Sequence, residues 1–436
     1  MLSSLIIENF KSYVKAVIPL ASMTFLIGPN ASGKSNALEA FRLLSWLAKG
    51  MRLDDIGRNI QNGDAHIRGR AADLFKDVTD VLTIGCHLDD SVLGWNELQI
   101  EIGMSDEQLV LEGEAISSSS EALPLYHVEG GLQSKHTDVL NVMYNNFKRG
   151  KNKPRIPCTN QQAIFYQLET PGRFLQKDTR AQKEIPAVTQ RFREQLRNIF
   201  FLAPNPAAMR DYSFAGDNEL REDGSNLSSV LAKLCKQEQM KQSLLDFFRS
   251  LPEQDITDIS FISTERSDVM VRLHESFGNK EQKIDAPLLS DGTLRVLSVG
   301  AVLLSAPEKS LVVIEEVDNG IHPSRADFLV KQIQNIVSRR GLQVLISSHN
   351  PALLDAVPDT ALGDVLCCYR NPENGSSLIV RLADMKRFPE LVAQGSLGQL
   401  MTSNRLEKFL KDTTSEEKRK QAALSWLEQL SRETAV

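Results

Sequence analysis

Short apolar runs at residues 2–7 and 23–27 predict strands, and the second, MTFLI, leads through GPNASGKSN into the helical pattern ALEAFRLLSWLA. Strand, glycine turn and helix thus follow one another within the first 50 residues. From 81 to 103, apolar and polar residues alternate in VLTIGCHL and LQIEIG, as in half-exposed strands. A more polar stretch at 104–198, with a serine run at 117–120 and scattered Pro, Gly, Lys and Arg, reads as an insertion. Helical spacing returns at about 225–250 and ends at Pro252; alternating strands follow around 256–274. From 288 onward the pattern becomes helix, the strand LVVIEE, helix, and the strand QVLISSHNP. That alternation predicts a parallel sheet covered by helices, an α/β fold. Residues 403–432 read as two short amphipathic helices that dock on the core through Trp426, Leu427 and Leu430, and no long heptad array appears.

Composition narrows the class. The 436 residues are 42% hydrophobic and 24% charged, which fits a folded protein of two domains or of one large decorated domain and excludes disorder as the main state. A net charge of −6 excludes a polycation that coats nucleic acid or anionic lipid. Residues 131–200 run against this balance, with thirteen Lys or Arg and five Asp or Glu. Tyr144, Phe147, Phe165, Tyr166 and Phe174 lie among those bases. The plainer expectation is a solvated helical subdomain with its own small core; the alternative is a nucleic-acid surface that grips phosphates and stacks bases. The five cysteines are odd in number and contain no C-x-x-C pair, so neither a disulfide framework nor a thiolate zinc site is expected, and a reducing compartment fits. Cys367 and Cys368, in the run VLCCY, read as small buried strand residues. No run approaches the ~18 apolar residues of a membrane helix, so a cytoplasmic protein without membrane contact is expected.

Four motifs carry candidate chemistry. Gly28, Gly33, Lys34 and Ser35 satisfy G-x-x-x-x-G-K-[ST] between a strand and a helix, where backbone amides and a helix N-terminus surround polyphosphate. Gly28, Pro29, Asn30, Ala31, Ser32, Gly33, Lys34, Ser35 and Asn36 are therefore the candidate ATP-binding loop, with Lys34 on the β- and γ-phosphates and the Ser35 hydroxyl on Mg²⁺. In LVVIEE the apolar strand delivers Glu315 and Glu316 at its C-terminal end, where open α/β sheets place ligands. Glu315 is the candidate for the magnesium shell and Glu316 for polarising the attacking water. In LSDGT, Ser290 and Gly292 sit at the start of another helix, a second anion-binding N-terminus. His349, after the strand QVLISS, is positioned to donate a hydrogen bond to a γ-phosphate.

Taken in order, NFKS at 9–12, FLIGPNASGKSN at 25–36, LSDGT, EEVDNGIHP at 315–323 and SSHNP at 347–351 resemble the RecF/SMC-like ABC ATPases. More narrowly, they are similar to bacterial AAA-type ATPases related to overcoming-lysogenization-defect proteins. The resemblance implies an ABC-type P-loop head in which two ATP molecules are sandwiched between two copies of the chain. Ser290 and Gly292 of one copy would then face the γ-phosphate of the other, with Asp318 and Asn319 in the adjacent interface loop. The expected division is an N-terminal lobe at 1–103, the basic insertion at 104–198, a C-terminal lobe with signature, acids and histidine at 199–365, and a strand and helical tail at 366–436. The glutamine that reads magnesium in this family is unassigned, since Gln161, Gln162 and Gln167 all lie in the insertion. No D-x-D follows an apolar strand after His349, so a fused TOPRIM nuclease is not expected. The implied function is an ATPase switch acting on a separate effector, of the nuclease kind, in antiphage defence. The alternative is a RecF-like DNA clamp using the basic insertion.

Overall fold

The computed structural model describes residues 1–56, 67–77, 79–89, 94–129, 138–150, 152–249, 256–277, 280–317, 323–385 and 387–411. Its first sheet has eight strands, each antiparallel to its neighbours. In spatial order they are β2 (Tyr13–Pro19), β1 (Leu2–Phe10), β4 (Val81–Leu88), β5 (Glu97–Ser105), β6 (Gln108–Ser117), β7 (Tyr126–Val128), β8 (Val139–Tyr144) and β9 (Arg155–Thr159). The second has six, in the order β10 (Ile199–Leu202), β15 (Leu311–Glu315), β16 (Gln343–Ser348), β3 (Met23–Ile27), β17 (Val365–Arg370) and β18 (Ser377–Arg381). Its first five strands are parallel, and β18 returns antiparallel as a hairpin on β17. A smaller sheet holds β11 (Ser213–Phe214), β13 (Asp268–Phe277) and β12 (Ile256–Ser263), with β14 (Lys280–Asp285) on β13.

Side-chain alternation along the parallel strands divides the apolar interior in two. Phe25, Ile27, Val312, Ile314, Val344 and Ile346 point into one core, and Leu26, Leu311, Val313 and Leu345 into the other. The first core is closed by helices including α3 (Asp291–Ser305) and α4 (Pro323–Arg340). The second lies between the parallel sheet, the eight-stranded sheet, α1 (Lys34–Ala48) and α2 (Thr179–Arg197). Burial on both faces is why these strands read as unbroken apolar runs.

Residues 131–200, expected as a helical subdomain, contain strands as well as helix, and so does the insertion at 104–198. Strands β6 to β9 extend the same antiparallel sheet as β1 and β4, and Ile116, Tyr126, Val142, Tyr144 and Ile156 join the core of that lobe. Polar residues on the outward face and the three-residue length of β7 hide this continuity from the sequence. Of the predicted tail, Arg405–Lys411 is helical and Leu406 is buried in the first core; Trp426, Leu427 and Leu430 lie outside the described residues. Among the described residues no helix is long and apolar enough to cross a membrane.

Candidate active site

At the end of β3 the chain turns through Gly28 (φ 151°), Ala31 (φ 62°) and Gly33 (φ 120°) before α1 begins at Lys34. Two of these positions leave no room for a side chain. A Cβ on Gly28 would lie 2.2 Å from the Cys368 carbonyl oxygen, and one on Gly33 would lie 2.2 Å from Ser377 Oγ. The loop is held from behind: Ser377 Oγ donates to the Ser32 carbonyl at 2.6 Å and Tyr13 Oη to the Gly33 carbonyl at 3.0 Å. Cys368 Sγ also donates to the Ser32 carbonyl, at 3.3 Å. In a planar trans peptide the N–H points opposite the C=O, so the amides of Gly33 and Lys34 are turned to the open side. That is the arrangement an anion needs at a helix N-terminus.

The open side is a pocket lined by residues 30–36, Arg68, Glu316 and Arg370. Lys34 Nζ donates to the carbonyls of Gly28 (2.6 Å) and Pro29 (3.1 Å), which keeps the ammonium over the loop. Burial pushes the Lys34 ammonium below its ordinary range, and the Glu316 carboxylate is among the groups that pull against that shift. A bound polyphosphate would reverse it by supplying negative charge at short range.

Parallel register brings the other motifs to the same edge. Ser348 of β16 is opposite Ile27 of β3, and Glu315 of β15 is opposite Ser347. The loop, the acid pair and His349 thus emerge from three adjacent strand ends. Glu316 takes a left-handed backbone (φ 47°), its amide donates to the Ser347 carbonyl at 3.1 Å, and its carboxylate joins the pocket lining. His349 Nδ1 stands 3.6 Å from Glu316 Oε1, shielded from solvent.

Glu315 goes elsewhere. Its carboxylate is paired with the Arg42 guanidinium of α1, which also pairs with Glu222, and Glu315 is outside the pocket lining. Burial opposes the charge on Arg42, yet Glu315 and Glu222 outweigh it and raise the guanidinium's pKa. The metal contact expected of Glu315 is therefore not the contact its carboxylate makes here. Adjacent residues on a strand point to opposite sides, and α1 supplies a buried cation on the Glu315 side.

LSDGT opens a helix as expected: Ser290 caps α3, its Oγ accepting from the Thr293 amide at 3.1 Å. Arg210 braces the turn by donating to the Leu289 carbonyl (3.0 Å) and the Asp291 carboxylate (2.6 Å). Ser290 is exposed, Gly292 is buried, and neither lines the pocket of its own loop. Asp318 and Asn319 lie outside the described residues.

Among the described residues of the basic stretch, the aromatic side chains are engaged within the fold. Tyr144, Phe165 and Phe174 are core residues, while Phe147 lies under Arg180 and Tyr166 under Arg193. Several of the bases are also engaged: Lys148 with Asp178, Arg155 with Glu129, Arg173 with the Pro157 carbonyl, and Arg193 with Glu169. Lys151 lies outside the described residues. The three glutamines also serve local structure. Gln161 accepts from the Asp54 amide, Gln162 donates to the Gly50 carbonyl and Gln167 to the Thr159 carbonyl, and none lines the phosphate pocket. Arg42, Arg68, Arg370, Tyr13 and Ser377 were not singled out from the sequence; only the NFKS segment, which precedes Tyr13, hinted at any of them.

Family models match two consecutive stretches. One, described as "AAA ATPase domain", covers residues 1–162, and the other, "AAA domain, putative AbiEii toxin, Type IV TA system", covers residues 159–355. No curated protein matches the chain closely enough to count as a relative. Solved SMC heads also align. The SMC head bound to the C-winged helix domain of ScpA is 13% identical, with 87% of this chain and 97% of that one covered and a TM-score of 0.45. The SMC head domain from Thermotoga maritima is 14% identical over 87% of this chain and 98% of that one, with a TM-score of 0.40. The Pyrococcus furiosus head with an extended coiled coil, bound to the C-terminal domain of ScpA, is 12% identical over 90% and 99%, with a TM-score of 0.46. These likenesses are too distant to inform the chemistry. The two family matches, with the motifs in their order, define an ABC-class P-loop ATPase. The chain is an ATP-binding ATPase of AAA type.

Proposed function

We propose that the protein is a magnesium-dependent ATP switch in which two copies close around two ATP molecules and, once closed, control a separate effector. The supporting observation is the convergence of the phosphate loop, Glu316 and His349 on three adjacent strand ends, with Ser290 capping a helix that does not line the same pocket. Loop amides and Lys34 hold the β- and γ-phosphates. Glu316 takes a proton from the attacking water as its oxygen bonds to the γ-phosphorus and the bond to the bridging oxygen breaks, releasing ADP and phosphate. His349, 3.6 Å from Glu316, orients that carboxylate and reports the γ-phosphate. Ser290 and the amides near Gly292 bind the γ-phosphate of the partner copy.

Magnesium fits the donors present. Such an ion draws most of its six oxygens from phosphate and water and asks little of the protein, and the pocket lining includes the Ser35 hydroxyl and the Glu316 carboxylate. When bound, the ion neutralises charge that develops on the phosphate oxygens. The toxin–antitoxin description of one matching family supports control of a separate effector; that the effector is a nuclease acting in antiphage defence rests on the resemblance of the motifs alone. The test is ATP turnover. Wild-type protein is expected to release phosphate, Lys34→Ala to lose ATP binding at least tenfold, and Glu316→Gln to bind ATP yet turn over at least 100-fold more slowly. Unchanged turnover in Glu316→Gln would overturn the assignment.

A further inference from the structure

The phosphate pocket contains three cations, of which the motifs account for one. Lys34 belongs to the loop; Arg68 is paired with Glu39 of α1; Arg370 comes from the far end of the chain, at the last position of β17. Arg370 Nε donates to the Ala31 carbonyl at 2.8 Å, and Nη1 donates to the Gly375 carbonyl at 2.8 Å. Gly375 lies in the β17–β18 connection, which is built to hold this shape. The Asn371 amide donates to the Ser376 carbonyl (2.8 Å), the Gly375 amide to the Asn371 carbonyl (2.9 Å), and Asn374 Oδ1 accepts from the Ser376 amide (3.0 Å). The guanidinium is thus fixed by two carbonyls, neither of which neutralises it. Among the described residues it has no carboxylate partner within ion-pair distance, and Nη2 makes no hydrogen bond to protein. Arg carries five N–H donors, so the rest of the fork remains for another acceptor.

We propose that Arg370 is a further polyphosphate-binding residue, so that the β17–β18 hairpin is part of the nucleotide site. This rests on the ATP reading of the loop. A half-buried guanidinium held next to an anion cradle without a counter-charge is costly unless an anion arrives, and a positive charge here attracts polyphosphate whichever side chain carries it. The hairpin already touches the loop through Ser377 and Cys368, so Arg370 adds a charged contact to an existing mechanical one.

Calorimetric ATP binding, in the Glu316→Gln background to prevent turnover, separates charge from support. Arg370→Gln can still donate to the Ala31 carbonyl but has lost the charge; Arg370→Lys keeps the charge but not the two-carbonyl clamp. The expected result is a Kd raised about tenfold or more in Arg370→Gln, a Kd within about threefold of the parent in Arg370→Lys, and equal melting temperatures. Arg370→Gln binding like the parent, or both variants losing affinity equally, would overturn the proposal and leave Arg370 as a prop for the loop. If the parent binds no ATP while remaining folded, the nucleotide reading fails first; if Lys34→Ala abolishes binding and Arg370→Gln does not, only the role of Arg370 fails.

Discussion

Arg42 and Glu315 form an ion pair that ties the helix after the phosphate loop to the strand carrying the acids, 273 residues away in sequence. Arg42 is 9% exposed and Glu315 20%, so water screens the pair only in part, and Glu222 shares the guanidinium. Removing one member of such a cluster strands a buried charge. Arg42→Ala is expected to lower stability by about 2–4 kcal/mol, toward the lower part of the range for buried pairs because both acids retain some solvent. Urea unfolding measures it; a loss below about 0.5 kcal/mol would show that the pair is incidental.

Ala31 sits at φ 62°, a left-handed conformation that costs an L-residue roughly 1–2 kcal/mol. Glycine would adopt it freely, although its looser unfolded state returns part of the gain. Ala31→Gly should stabilise the protein by about 0.5–1 kcal/mol, with ATP affinity within about threefold of wild type. A lower melting temperature in the variant would contradict the strain.

Glu114 is a buried carboxyl that accepts from the Tyr126 hydroxyl (2.6 Å), the Ile164 amide (2.7 Å) and the Phe165 amide (2.6 Å). Burial pushes it up to about 7 against the pull of those three donors. A raised folded-state value means that the native protein holds the proton more tightly than the unfolded chain. The stabilisation from this proton is complete below the unfolded value of about 4.5 and is lost as pH rises through about 7. Its full size is on the order of 3–3.5 kcal/mol. Unfolding free energies measured from pH 4.5 to 8 should show this decline, and Glu114→Gln should remove it while lowering stability throughout, since the amide presents a donor where an acceptor is needed. An identical pH slope in both proteins would assign the decline to other groups.

Reading the sequence anticipated the glycine turn before α1, the strand that ends in Glu315, the helix capped by Ser290 and the strand before His349, because each rests on local chemistry: an apolar run, a glycine turn, a capping serine. That the loop, Glu316 and His349 share one edge was expected from the resemblance to ABC-type ATPases and from the placement of ligands at the C-terminal ends of parallel strands. What stayed hidden depends on partners distant in the chain. Nothing near Glu315 announces Arg42, and nothing near Arg370 announces Ala31. The partners of Lys148 and Arg155, Asp178 and Glu129, are likewise assigned only by the fold. Sheet continuity through β6 to β9 was missed because short strands with polar outer faces carry a weak period-two signal.

The central claim is that ATP joins two copies of the chain, with Ser290 of one completing the site of the other. Light scattering coupled to size exclusion, on Glu316→Gln protein with saturating ATP and magnesium, tests it most directly. The account predicts a dimer with ATP, a monomer without it, and a monomer under both conditions for Ser290→Arg on the same background, although that variant still binds ATP. A Glu316→Gln protein that binds ATP and remains monomeric at every concentration, while wild type turns ATP over, would contradict it.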